Sequence, residues 1–222
     1  MLSSESGTLL SMSKRPYRQH LRAEAAEANR QRVLDALYDR LRATPAEPAS
    51  VDEIARAARV SRSTVYLVFG SRSGLFDALT DRLLRGAGYD RIEEAVRDPD
   101  ARETLRGGLE GGVRMYAAHH DVLRVLYATG KLDPEGAGRA IARSERRRFE
   151  SMGWLGNRLH EQNQLRPGVT PDYAAHVIWL LASFDAYDLL AAGRGLDAEE
   201  VVDVLTETAQ RALLREGPAP GA

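Results

Sequence analysis

No cysteine occurs in the 222 residues, which excludes disulfides and thiolate metal sites and suits a cytoplasmic protein. Lysine is nearly absent as well: Lys14 and Lys131 are the only two among 31 basic residues. Long apolar runs are missing. The densest, VIWLLASF at Val177 to Phe184, is far too short to cross a bilayer, so no membrane partner is expected. The opening MLSSESGTLLSMSKRP has no charged start followed by an apolar block, so no signal peptide is expected. No useful segment alternates apolar and polar residues with period two, which argues against strands. The histidines (His20, His119, His120, His160, His176) contain no His-x-x-x-His pair. His119-His120-Asp121 is a poor metal cluster, because adjacent side chains on a helix diverge by about 100°. Without a thiol or a phosphate loop behind a strand, no catalytic residue, metal or cofactor is expected, and the chain does not read as an enzyme.

What is present is a folded composition, 43% hydrophobic and 28% charged, in a chain long enough for one or two domains with a real core. The pattern is helical throughout. A first helix over 23–42 carries Val33, Leu34, Leu37 and Leu41 on one stripe, and TPAEPA breaks it. Ser50 with Glu53 forms a capping box, and Ser61 and Ser71 open a third and a fourth helix. Asp98-Pro99, Asp133-Pro134, Thr170-Pro171 and the Asp197/Glu200 box mark later starts. The spacing predicts helices over 72–97, 100–118, 121–129, 134–163, 171–192 and 197–215. The expectation is an all-α protein of about nine helices: an N-terminal arm over 1–22, a first domain over 23–75, a second over 76–215, and a frayed tail over 216–222.

Charge is divided unevenly. Residues 14–82 hold 13 Lys and Arg against 9 Asp and Glu, whereas residues 83–222 hold 18 against 22. From Arg56 to Arg72 there are four arginines (Arg56, Arg59, Arg62, Arg72) and no acid. That island lies on SVDEIARAARVSRSTVYLVF, Ser50 to Phe69, which reads as two short helices at a steep angle. Ile54, Ala55 and Ala58 share one face, Val65 and Phe69 form the matching stripe, and Val60 plugs the wedge. Such a second helix enters a major groove with its first residues leading. The exposed residues there are Arg62, Ser63, Thr64 and Tyr66, whose guanidinium and hydroxyls suit base edges or phosphates. Ser50, Ser61 and Ser71 head helices whose free amides favour phosphate, and Arg72 lies beside the last of these. The basic run KRPYR, Lys14 to Arg18, is either a DNA-following arm or a solubilising tail.

On these residues the chain resembles the DNA-binding signature of the TetR (tetracycline-repressor-like) family. Ser50, Ile54, Ala55, Ala58, Val60, Ser61, Thr64, Tyr66, Phe69, Arg72 and Leu75 occupy its places. Arg59 departs from it by replacing the usual turn glycine, Leu67-Val68 replaces a polar-aromatic pair, and Arg72 stands for the usual lysine. The resemblance implies a DNA-binding transcriptional regulator, a homodimeric repressor released from double-stranded operator DNA by a small-molecule effector. It also implies that the helices near 171–192 and 197–215 build the dimer interface. Candidate effector contacts are Met115, Tyr116, His119, Tyr127, Trp154, Trp179 and Asp185, since a binding cavity combines aromatic walls with a few polar groups. The glycines of GGLEGG, Gly107 to Gly112, permit either close helix approach or bending. Two rival readings stay open: a regulator of the same fold that answers to a protein or to no ligand, and a helical enzyme or ligand carrier with a vestigial helix-turn-helix.

Overall fold

A computed structural model describes residues 14–43 and 49–215. The frayed tail, residues 44–48 of the TPAEPA break and the chain before Lys14 lie outside the described residues. The fold is all-α: eleven α-helices, one short π-helical segment and no strand among the described residues. A single isolated antiparallel bridge pairs Leu165 with Leu214. No single described helix is long and apolar enough to cross a membrane. The chain divides into two compact units between Leu75 and Phe76.

The first unit is built from α1 (Lys14–Ala43), α2 (Val51–Ala57), α3 (Arg62–Phe69) and the first turn of α4 (Arg72–Leu84). Helix α1 begins at Lys14 rather than at Ala23. Pro16 falls in the first turn, where a missing N–H removes no intrahelical bond, and the AEAAEA stretch behind it favours helix. So the backbone of KRPYR is helical. Val33, Leu34, Leu37 and Leu41 are buried to 2% exposure or less. They pack where α1 meets α2 and α3, which contribute Ile54, Ala55, Val65 and Phe69. Each such buried leucine contributes about 1.5–3 kcal/mol of transfer free energy.

The second unit holds α5 (Tyr89–Arg97), α6 (Ala101–Ala118), α7 (His120–Leu132), α8 (Arg139–Glu161), α9 (Pro171–Leu181), α10 (Phe184–Arg194) and α11 (Ala198–Leu213). The π-helical turn Pro134–Gly138 precedes α8. Its core joins Leu105 and Leu109 of α6, Leu155 and Leu159 of α8, Ala174 and Ile178 of α9, and Ala209 and Leu213 of α11.

Two helices expected to be continuous are broken, which raises the count from about nine to eleven. The 72–97 helix is interrupted at Arg85–Gly88, where Gly88 has φ 89°. The 171–192 helix breaks at Ala182-Ser183, because the Ser183 hydroxyl accepts from the Ala186 N–H and starts α10 at 41° to α9. The apolar run VIWLLASF therefore straddles a bend. Helix α7 also outruns the expected 121–129, ending at Leu132.

Candidate functional site

Helices α2 and α3 are joined by a turn whose geometry the hydrogen bonds define. Val60 N–H donates to the Ala55 carbonyl (3.0 Å) and Arg59 N–H to the Arg56 carbonyl (3.1 Å). That pair is the Schellman arrangement, which places the residue after the C-cap in the left-handed region. Here that residue is Arg59, with φ 56°. From α1, the Arg32 guanidinium donates to the Ala58 carbonyl (3.2 Å) and braces the turn. Ser61 then caps α3: its hydroxyl accepts from the Thr64 N–H (3.0 Å) and touches the Ser63 and Thr64 hydroxyls, each at 2.7 Å.

The leading face of α3 is exposed at Arg62, Ser63, Tyr66 and Leu67, while Val65 and Phe69 turn inward. Arg62 lies over the Tyr66 ring, 5.6 Å from its centroid, and pairs with Asp52 of α2 at 2.8 Å. The pair is solvated on both sides and holds the guanidinium only weakly. Thr64 is half-buried, its hydroxyl engaged in the Ser61 cap, so it is less available than the sequence suggests. Leu67, the first residue of the pair that departs from the family signature, is 86% exposed and projects from the same face.

The flanking helix starts differ. Ser71 caps α4 by accepting from the Gly74 N–H (2.9 Å), and Arg72 donates to the Ala49 carbonyl (3.1 Å). At Ser50 the capping box is closed, and the Glu53 carboxylate accepts from the Ser50 N–H (3.2 Å). An anion at that end meets a carboxylate already in place. The hydrogen bond from the Ser50 amide, and then the Ser50 hydroxyl, lower the Glu53 pKa.

The second unit contains a cavity of about 270 Å³. Leu84, Ile92, Leu105, Leu109, Met152 and Leu155 supply much of its apolar wall. Of the seven candidates, Met115, Tyr116 and Tyr127 line it; His119, Trp154, Trp179 and Asp185 do not. Trp154 is 46% exposed beneath the Arg158 guanidinium. Asp185 is exposed in the first turn of α10 rather than enclosed by apolar neighbours, because the bend at Ser183 re-aims that helix. Trp179 sits behind the wall, its carbonyl accepting from Arg148 (2.5 Å) and its ring under the same guanidinium.

At the polar end of the cavity, Glu145, Arg147 and Arg148 were not foreseen from the sequence. The Tyr127 hydroxyl donates to Glu145 (3.0 Å), Glu145 pairs with Arg148, and the Tyr116 hydroxyl donates to the Ala182 carbonyl (3.0 Å). Burial pushes the Tyr116 phenol up to about 12 and raises Tyr127 as well. An i,i+4 pattern of arginine opposite aspartate links α8 to α4: Arg143 pairs with Asp77, and Arg147 with Asp81 at 2.9 Å. Arg147 also lines the cavity, as does Leu84 at the end of α4.

Comparison with known proteins agrees with this geometry. Residues 34–79 match the model of bacterial regulatory proteins, tetR family. The chain is 37% identical over 139 residues to the HTH-type transcriptional regulator AlkX of Mycobacterium tuberculosis, a stretch covering 60% of this chain. The match spans 61% of that relative's length. A TetR-like transcriptional regulator from Rhodococcus sp. RHA1 superposes with a TM-score of 0.57 at 26% identity, over 82% of this chain and 94% of that one. Native NalD, the secondary repressor of the MexAB-OprM multidrug efflux pump in Pseudomonas aeruginosa, superposes with a TM-score of 0.69 over 87% of this chain and 100% of that one. At 22% identity the likeness to NalD is one of fold.

Proposed function

We propose that this chain, whose residues 34–79 match the tetR family model, is a regulator of that family: a sequence-specific DNA-binding protein, a homodimeric repressor that a small molecule releases from its operator. The observation that carries the proposal is the exposed leading face of α3, held on α2 by a closed turn. In this reading Arg62, Ser63 and Tyr66 enter the major groove with Thr64 at their base, while Ser61, Ser71 and Arg72 meet phosphates. Ser50 contributes through its hydroxyl, since Glu53 occupies its amide. Leu67 joins the set as an apolar contact to a thymine methyl.

Two-fold pairing of the reading helices needs a self-complementary surface. Leu180 (61% exposed) on α9, Leu189 (69%) on α10 and Val204 on α11 supply apolar groups for it. Release follows from differential affinity: an effector in the cavity favours a conformation whose reading helices are wrongly spaced. Helix α4 is the lever, since it carries Arg72 at one end and Leu84 at the other and is gripped by α8 through Asp77 and Asp81.

Gel-shift titration against the DNA upstream of its own gene, at two salt concentrations, tests the DNA-binding reading. Specific binding that weakens steeply with salt is expected; absence of specific binding leaves the enzyme or carrier alternative. A thermal-shift screen then separates a ligand-responsive regulator from one answering to a protein or to nothing, because a ligand raises the melting temperature by mass action.

A further inference from the structure

We propose that the cavity takes an uncharged, mainly aliphatic molecule bearing one hydrogen-bond donor, and that Gly108 and Gly112 fix the length it accepts. This rests on the reading of the cavity as the effector site and names the chemistry of its ligand.

Helix α6 carries four glycines in two registers, and the registers have different surroundings. A Cβ at Gly107 would lie 2.7 Å from the Ala95 Cβ, and one at Gly111 2.6 Å from Ile92 Cγ1. Those two glycines let α5 approach α6. Gly108 and Gly112 also lie within the helix, yet a Cβ at either meets nothing within 4 Å. Both line the cavity. Glycine inside a helix is disfavoured relative to alanine, and neither close packing nor a positive φ calls for it here. What the pair contributes is open space on the cavity face of α6.

The charges around that space are already matched. Glu145 faces Arg148, and Arg147 faces Asp81, so an ionised ligand would bring an uncompensated charge into a largely apolar site. The hydroxyl hydrogens of Tyr116 and Tyr127 are committed to the Ala182 carbonyl and to Glu145. Their oxygens retain acceptor capacity, which a ligand hydroxyl can meet. Filled at the packing density of a protein interior, about 0.74, the 270 Å³ cavity holds about 200 Å³ of ligand atoms, roughly a ten- to twelve-carbon chain.

The test uses the full chain and three probes of equal chain length: 1-decanol, decanoate and decylammonium. Binding is measured by calorimetry, and release is read from the complex with its own upstream DNA. Wild-type protein should bind 1-decanol at least about tenfold more tightly than either charged probe. Gly108→Leu and Gly112→Leu should each weaken 1-decanol by about tenfold or more. Gly108→Ala and Gly112→Ala should melt higher than the wild type in the absence of probe while binding 1-decanol more weakly. The alanine variants keep the test decisive if a leucine variant fails to fold. Equal or tighter binding of decanoate or decylammonium overturns the proposal, as does undiminished 1-decanol binding in the alanine variants, or no binding of any probe. Preferential 1-decanol binding without release of DNA supports the cavity chemistry and overturns the effector role instead.

Discussion

Arg59 is held at φ 56° by its own N–H bond to the Arg56 carbonyl and by two bonds of its neighbours, Val60 to Ala55 and Arg32 to Ala58. A left-handed non-glycine residue costs about 1–2 kcal/mol, part of which glycine returns through its larger unfolded-state entropy. Arg59→Gly should therefore stabilise the first unit by about 0.5–1 kcal/mol, read as a higher denaturant midpoint with unchanged slope. Weaker DNA binding in that variant would assign the exposed guanidinium a phosphate contact. The departure from glycine at this turn was legible in the sequence; the left-handed conformation that Arg59 adopts there was not. Nor was the brace from Arg32, since nothing in a linear pattern brings α1 to that carbonyl. A second residue-scale expectation concerns His119. Burial, and then the Arg82 guanidinium, lower its pKa in the folded protein. Below the unfolded value of about 6.5 the unfolded chain takes up more protons, so this contribution is present above that pH and is lost as pH falls. The melting temperature of His119→Gln should fall less than that of the wild type between about pH 6.5 and 5.

Helices were read most accurately where a side chain caps them. Ser50, Ser61, Thr170 and Asp197 each accept from an amide of the first turn they open. Ser61→Ala removes the cap of the reading helix and should cost about 1 kcal/mol of stability, measured by chemical denaturation. Ser183 is also a cap, but VIWLLASF masked it: a serine inside an apolar run gives no sign of whether the helix passes through it. Glycine registers in α6 were equally hidden, because adjacent glycines look alike until their surroundings are known. They yield a paired expectation. Gly108→Ala should stabilise by about 1 kcal/mol, whereas Gly107→Ala should destabilise, since Ala95 and the Arg91 guanidinium lie within 2.8 Å of the added carbon. Opposite shifts in melting temperature check both.

For the molecule as a whole, the all-α class was legible in the helical spacing and the tetR resemblance in the residues from Ser50 to Leu75, whereas Glu145 and Arg148 at the polar end of the cavity waited on the fold. Tyr127 and Glu145 stand on different helices, and no spacing rule brings them together. The same limit applied to Asp185, which moved from a supposed pocket to the surface when the helix bent. Assembly can be tested directly. Leu189→Asp places a charge on an exposed apolar site of α10 and, if the proposed dimer forms through α9 to α11, should convert it to monomer in sedimentation while leaving the helical content intact. Operator affinity should fall with it, since one reading helix then binds where two did. Loss of helical content would instead place Leu189 in the fold of the single chain.

Proteins usually give up stability to acquire a new specificity. At the two open glycines of α6 the proposed relation is reversed, because a side chain added there fills open space in the cavity while strengthening the helix. If the cavity binds as proposed, lineages carrying this scaffold can move toward smaller ligands by single steps that folding does not oppose. The return toward larger ones runs uphill in stability. Such a ratchet makes the wide cavity of this chain the state that selection must actively maintain.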